Sequence, residues 1–129
     1  MPSIRQLLTI AAVVECLTGL ALLRAPGAAV ERLLGARPDR TGQLLGQVTG
    51  VALLALGVAC WAARRDTGGA RSSTVWGITL YNAGAGLLLL RFAATGQARG
   101  GVVRGAGLLH LGLAAGFIVA RSEAETPRP

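Results

Sequence analysis

Glu15, Tyr81, Asn82 and His110 are the side chains of this sequence that combine chemical capability with costly placement, each interrupting a run of Leu, Ala, Val, Ile and Gly. An ionised carboxylate at the centre of an apolar helix costs several kcal/mol, so Glu15 must be neutral, paired, or turned toward a bundle interior or a wet cavity. If Glu15 and His110 meet, each charge favours the other while desolvation favours both neutral forms, and such a pair can exchange a proton at moderate pH. Asn82 and Tyr81 can donate or accept hydrogen bonds beside it. Gln47 and Thr49 would extend this polarity toward one surface. Buried polar groups also hold membrane helices together, at about 1 kcal/mol each, with no ligand involved. That reading serves Asn82, Thr18, Gln47 and Thr49 as well as function does. Two titratable groups are a costly adhesive, so Glu15 with His110 points to a ligand-binding or proton-exchanging site.

The elements that must position these residues are visible as uncharged runs. The chain has 129 residues, is 52% hydrophobic, and has a mean hydropathy of +0.54. Residues 41–63 and 72–90 carry no charge, nor do residues 105–120, and the stretch 4–23 is broken by Arg5 at its edge and Glu15 within. A bilayer core about 30 Å thick needs roughly 20 apolar residues of helix. The sequence therefore predicts an all-α integral membrane bundle of four transmembrane helices, near residues 4–23, 43–63, 73–93 and 102–120. A soluble bundle would show a polar stripe along each helix, and these runs show none. The first stretch has some marks of a signal peptide, but its length and central carboxylate favour a retained helix. At 1.5 Å per residue, Glu15, Tyr81, Asn82 and His110 all fall within roughly 5 Å of the bilayer midplane.

Between the first two spans, Pro26 at a helix start, Val30, Leu33 and Leu34 on one face, and Gly35 at the end predict a short amphipathic interfacial helix over about 26–35. Short loops at 64–73 and 95–101 require antiparallel neighbours. Residues 122–129 read as a polar tail without regular structure. Gly42, Gly46 and Gly50 recur every fourth residue in the second span, as do Gly112 and Gly116 in the fourth, marking close helix packing within the bundle or across a homodimer. Cys16 and Cys60 are expected about 10 Å or more apart in depth and unlinked. No metal-ligand spacing, nucleophile constellation or phosphate-binding loop is present.

All 13 basic residues are arginine, and with 6 acids the net charge is +7. These arginines flank the apolar runs instead of forming a stripe, which points to lipid headgroups and excludes nucleic acid as a partner. Six arginines fall on the side of the N-terminus and seven on the other. That count sets no orientation; setting aside Arg91 and Arg104 at helix ends favours an N-terminus in the cytoplasm, with dual insertion the alternative.

The sequence Gly19-Leu20-Ala21-Leu22-Leu23, followed by Ala25-Pro26, Leu33-Leu34-Gly35 and the run from Gly50 to Gly57, resembles the small four-helix bacterial membrane proteins of the DoxX-like group. The resemblance covers helix order and most of the chain. It implies the fold and a bacterial inner-membrane location. Some members are associated with quinone-linked oxidation of sulfur compounds, which would make a quinone the cofactor. No catalytic residue set carries over. The chain is also similar in size, helix number and its first-helix glutamate to the small multidrug transporters, but lacks their aromatic pocket. The leading expectation is a non-enzymatic protein that binds a small ligand or assists a membrane partner. A quinone-linked redox subunit and a small proton-coupled transporter are the alternatives.

Overall fold

A computed structural model describes residues 2–125. Five helices are present: α1 (Ile4–Arg24), α2 (Pro26–Leu34), α3 (Arg40–Ala63), α4 (Gly69–Ala94) and α5 (Val103–Glu125). All but α2 are long and apolar enough to cross a membrane, making this a multi-pass membrane protein by helix length and composition. The spanning helices begin earlier than the charge pattern suggests at α3 and α4. At the C-terminal end, α5 continues through Glu125, so the first half of the expected tail is helical; residues 126–129 lie outside the described residues.

Local chemistry sets the helix ends. Ser3 and Gln6 form a reciprocal capping box that opens α1. Asp39 caps α3 by accepting from the Gly42 amide at 2.7 Å, so Asp39 starts a helix as well as turning the chain. Pro26 opens α2, and Gly35 ends it in the left-handed region at φ 80°. In the loop before α4, Asp66 accepts from the Gly68 and Arg71 amides at 3.0 and 3.1 Å.

The spanning helices pair as two antiparallel hairpins, α1 with α3 and α4 with α5. Lipid supplies no hydrophobic drive between helices, so intimate backbone approach must replace it. A Cβ on Gly50 would stand 2.8 Å from the Gly19 carbonyl oxygen, and one on Gly86 would stand 2.9 Å from that of Gly107. Gly46 receives Pro26, Leu22 and Val30, which seats α2, and Gly116 receives Leu7 across the two hairpins. Gly42 and Gly112 depart from the expected ridges. Gly42 faces Pro38 and Asp39 of its own cap, and Gly112 points outward with open space around it. Four-residue spacing marks a possible face but not its direction, and the α4–α5 seam uses Gly86 and Gly107 instead.

Between the hairpins, Leu7, Leu8, Ala11, Ala12, Cys60, Ile78, Leu113 and Phe117 form the main core, toward the N-terminal end of α1. At the opposite end, Ala93, Ala98 and Val103 pack with Leu34 and Leu89, and the Arg99 amide donates to the Leu34 carbonyl. The outer surface is apolar, with Leu80 75% and Val48 67% exposed. Arginines ring this belt at two levels: Arg5, Arg64, Arg71 and Arg121 below, Arg24, Arg91 and Arg104 above. Arg5 to Arg24 and Arg71 to Arg91 each span about 28 to 30 Å, the thickness of the hydrocarbon. Trp61 and Trp76 stand near the lower level, beneath the guanidinium groups of Arg64 and Arg121 at 3.4 and 4.1 Å from the ring centroids.

Two outcomes follow. Gly50→Ala should destabilise the detergent-solubilised bundle by about 1–3 kcal/mol, as overpacking does, whereas Gly112→Ala should leave thermal unfolding unchanged or raise it slightly. The amides of Gly68 and Arg71 hold the Asp66 carboxyl below the ordinary aspartate range. The turn should therefore be ordered above about pH 4 and loosen as pH falls through the lowered value, seen as a co-titrating shift of the Gly68 amide resonance.

Candidate functional site

The four polar residues come from three helices and two hairpins. Glu15 sits on α1 at 1% exposure, although it lies midway between the arginine levels. Asn82, on α4, is 0% exposed. Tyr81, one residue earlier, and His110, on α5, are half-buried and reach the lipid-facing surface of the bundle.

Asn82 and His110 form the best-defined contact. The Asn82 Nδ2 donates to the Ile78 carbonyl at 2.8 Å, one turn back on its own helix. That bond fixes the amide orientation, since a carbonyl oxygen can only accept. The Asn82 Oδ1 is thereby directed at His110 Nδ1, 2.7 Å away. An amide oxygen also only accepts, so His110 must carry hydrogen on Nδ1. In the neutral ring this leaves Nε2 as a bare acceptor. Tyr81 packs edge-on against the imidazole, with ring centroids 5.6 Å apart and planes at 86°.

Tyr81 also lies close enough to interact with the Glu15 carboxyl, although no hydrogen bond of ordinary length joins them. The Glu15 Oε1 is sealed from solvent and has no hydrogen-bond partner. Glu15 and His110 form no ion pair; the sole salt bridge among the described residues joins Arg37 to Glu31 at 3.0 Å. The direct acid–imidazole pair expected from depth alone is therefore not formed, and Tyr81 lies beside both groups, edge-on to the imidazole and near the carboxyl. Equal depth does not bring side chains together when their helices are rotated apart.

Gln47 and Thr49 do not extend the site. Both are exposed on the outer face of α3, and Thr49 satisfies its hydroxyl by donating to the Leu45 carbonyl at 2.8 Å. Thr18 is exposed as well. Thr79, which the sequence did not single out, is buried and donates to the Val75 carbonyl. The thiols are nearer each other than expected. Cys16 faces Gly57, one turn from the fully buried Cys60, and both Glu15 and Cys16 lie within electrostatic reach of Cys60. Both cysteines are free. Helix antiparallelism brings these positions together: Ala12 and Cys16 of α1 both meet Gly57 of α3.

No family model, curated protein or solved structure matches this chain. The site must be read from its own chemistry. Its Asn82–His110 half is saturated on the amide side, while the Glu15 Oε1 and His110 Nε2 lack protein partners. Among the described residues no three His, Cys, Asp or Glu side chains gather in a metal-binding group.

The bond to Asn82 predicts that the imidazole nitrogen resonances of neutral His110 will show the Nδ1–H tautomer. Asn82→Ala should remove that bias, and the bundle should lose about 1 kcal/mol of stability.

Proposed function

We propose that this protein is a non-enzymatic ligand-binding or accessory protein of the bacterial inner membrane, with its N-terminus in the cytoplasm. Its ligand is a small molecule whose polar head group is held at Glu15 and His110, with Tyr81 and Asn82 assisting. Membership of the DoxX-like group accords with the helix order and with the interfacial α2.

The observation that carries this reading is the unpartnered Glu15 Oε1 in a side chain that is 1% exposed. A carboxyl retained to join helices would have both oxygens satisfied within the bundle, as Asn82 has both ends of its amide satisfied, by the Ile78 carbonyl of its own helix and by His110 of the next. Leaving a buried acceptor unmade costs about 1–3 kcal/mol. A head group that donates to this oxygen would recover that cost on binding.

Native mass spectrometry of the protein extracted from its own membrane tests the assignment. The wild-type protein should retain a small molecule that Glu15→Ala and His110→Ala lose, with both variants still inserted and helical. Equal retention by all three would defeat the assignment.

A further inference from the structure

We infer that the Glu15 site is entered sideways from the bilayer, through the seam between the α1–α3 and α4–α5 hairpins. Its occupant is a lipid-soluble molecule that presents an N–H or O–H donor to the open carboxyl oxygen. This inference rests on the ligand-site reading above and adds the route and the chemistry of the ligand.

The hairpins differ from the seam between them. Within each hairpin, glycine brings backbone against backbone, at Gly19 with Gly50 and at Gly86 with Gly107. Across the seam at the depth of the core, side chains such as Leu7 pack on the other hairpin at Gly116, and backbone meets backbone at the α2 end, where Gly100 lies against the Leu33 carbonyl and the Arg99 amide donates to the Leu34 carbonyl. Glu15 belongs to one hairpin, and Tyr81, Asn82 and His110 belong to the other. Separating the hairpins therefore uncovers the carboxyl without breaking either glycine contact.

Both aqueous ends are closed. Leu7, Leu8, Ile78 and Phe117 fill the bundle below Glu15, each no more than 4% exposed. Above it, α2 and the 95–102 loop are fastened together through Leu34 and Arg99. To the side, Tyr81 and His110 pack edge to face, both half-buried, and their chain neighbours Leu80 and Leu109 are exposed on the lipid surface. A solute arriving there must already be dissolved in hydrocarbon.

The ligand chemistry follows from what is left open. His110 Nε2 accepts in the neutral ring, Glu15 Oε1 accepts when the carboxyl is ionised or holds its proton on Oε2, and the nearest arginines lie about two to three turns away toward the membrane surfaces. The donor must therefore come with the ligand. A neutral hydroxyl and a protonated amine share this chemistry, and the test separates them.

The probe is dicyclohexylcarbodiimide, which adds to a carboxylic acid with no leaving group, giving an acylurea readable by mass. In vesicles of phosphatidylcholine and phosphatidylglycerol it should label Glu15, whereas a water-soluble carbodiimide should label Glu31 or Asp66 and leave Glu15 intact. A protein with Cys16→Ala and Cys60→Ala, linked across the seam through Leu7→Cys and Gly116→Cys, should label at Glu15 at least tenfold more slowly until the link is reduced. Should the linked protein fail to insert, Tyr81→Trp should slow labelling and Tyr81→Ala speed it. Labelling that ignores the link or the portal variants, or equal labelling by the water-soluble reagent, overturns lateral entry.

Decylamine or decanol in the bilayer should slow labelling severalfold, and decane at the same level should not. Protection by decylamine alone indicates a cationic donor, and protection by decanol indicates a neutral one. Equal effects of all three overturn the donor requirement. Seam-dependent labelling together with unchanged ligand retention in Glu15→Ala would defeat the function proposed above while leaving the route intact.

Discussion

Hydrocarbon offers no hydrogen-bond partners, and the arrangement of this bundle follows from that. Polar atoms must find partners within the protein or carry the cost, and helices must gain contact by approach because lipid tails solvate Leu as well as another helix does. The helix seams are accordingly built on glycine and alanine, a core of Leu7, Leu8, Ile78, Leu113 and Phe117 joins the hairpins, and further Leu and Val cover the outside. Serine and threonine hydroxyls largely solve the problem alone, donating to the carbonyl one turn back, as Thr9, Thr49, Thr74 and Thr79 do. Glu15 is the conspicuous departure, and functional interpretation of the molecule starts there.

Helix number, order and the short α2 were legible in the sequence because length and charge placement report directly on a slab of fixed thickness. Arginine at both ends of an apolar run marks where the slab stops. Helix ends were less legible where capping lay outside the apolar run. Asp39 opens α3 before the hydrophobic segment begins, and α5 runs on through Ser122 and Glu123 because nothing there interrupts its backbone hydrogen bonding.

The site was legible in depth but not in rotation. Counting residues put Glu15, Tyr81, Asn82 and His110 at one level, yet a single residue turns a side chain by about 100°. That angle separates the sealed Asn82 from the half-buried Tyr81. It also turns Gln47 and Thr49 away, one residue from the packed Gly46 and Gly50. The helices carry apolar residues on nearly every side, so composition gives no phase, and pairing of Glu15 with His110 could not be told from an arrangement that sets Tyr81 beside both. The approach of Cys16 to Cys60 was hidden for a related reason, since it depends on how far α1 is shifted along α3.

The two tryptophans both stand near one membrane surface, each under a guanidinium, whereas the other surface has α2 lying along it and no tryptophan. Indole rings prefer the headgroup boundary and resist displacement along the membrane normal. Indole thus anchors the protein in one leaflet and not in the other. A bilayer that thickens or thins would shift relative to the α2 end while the tryptophan end holds its depth.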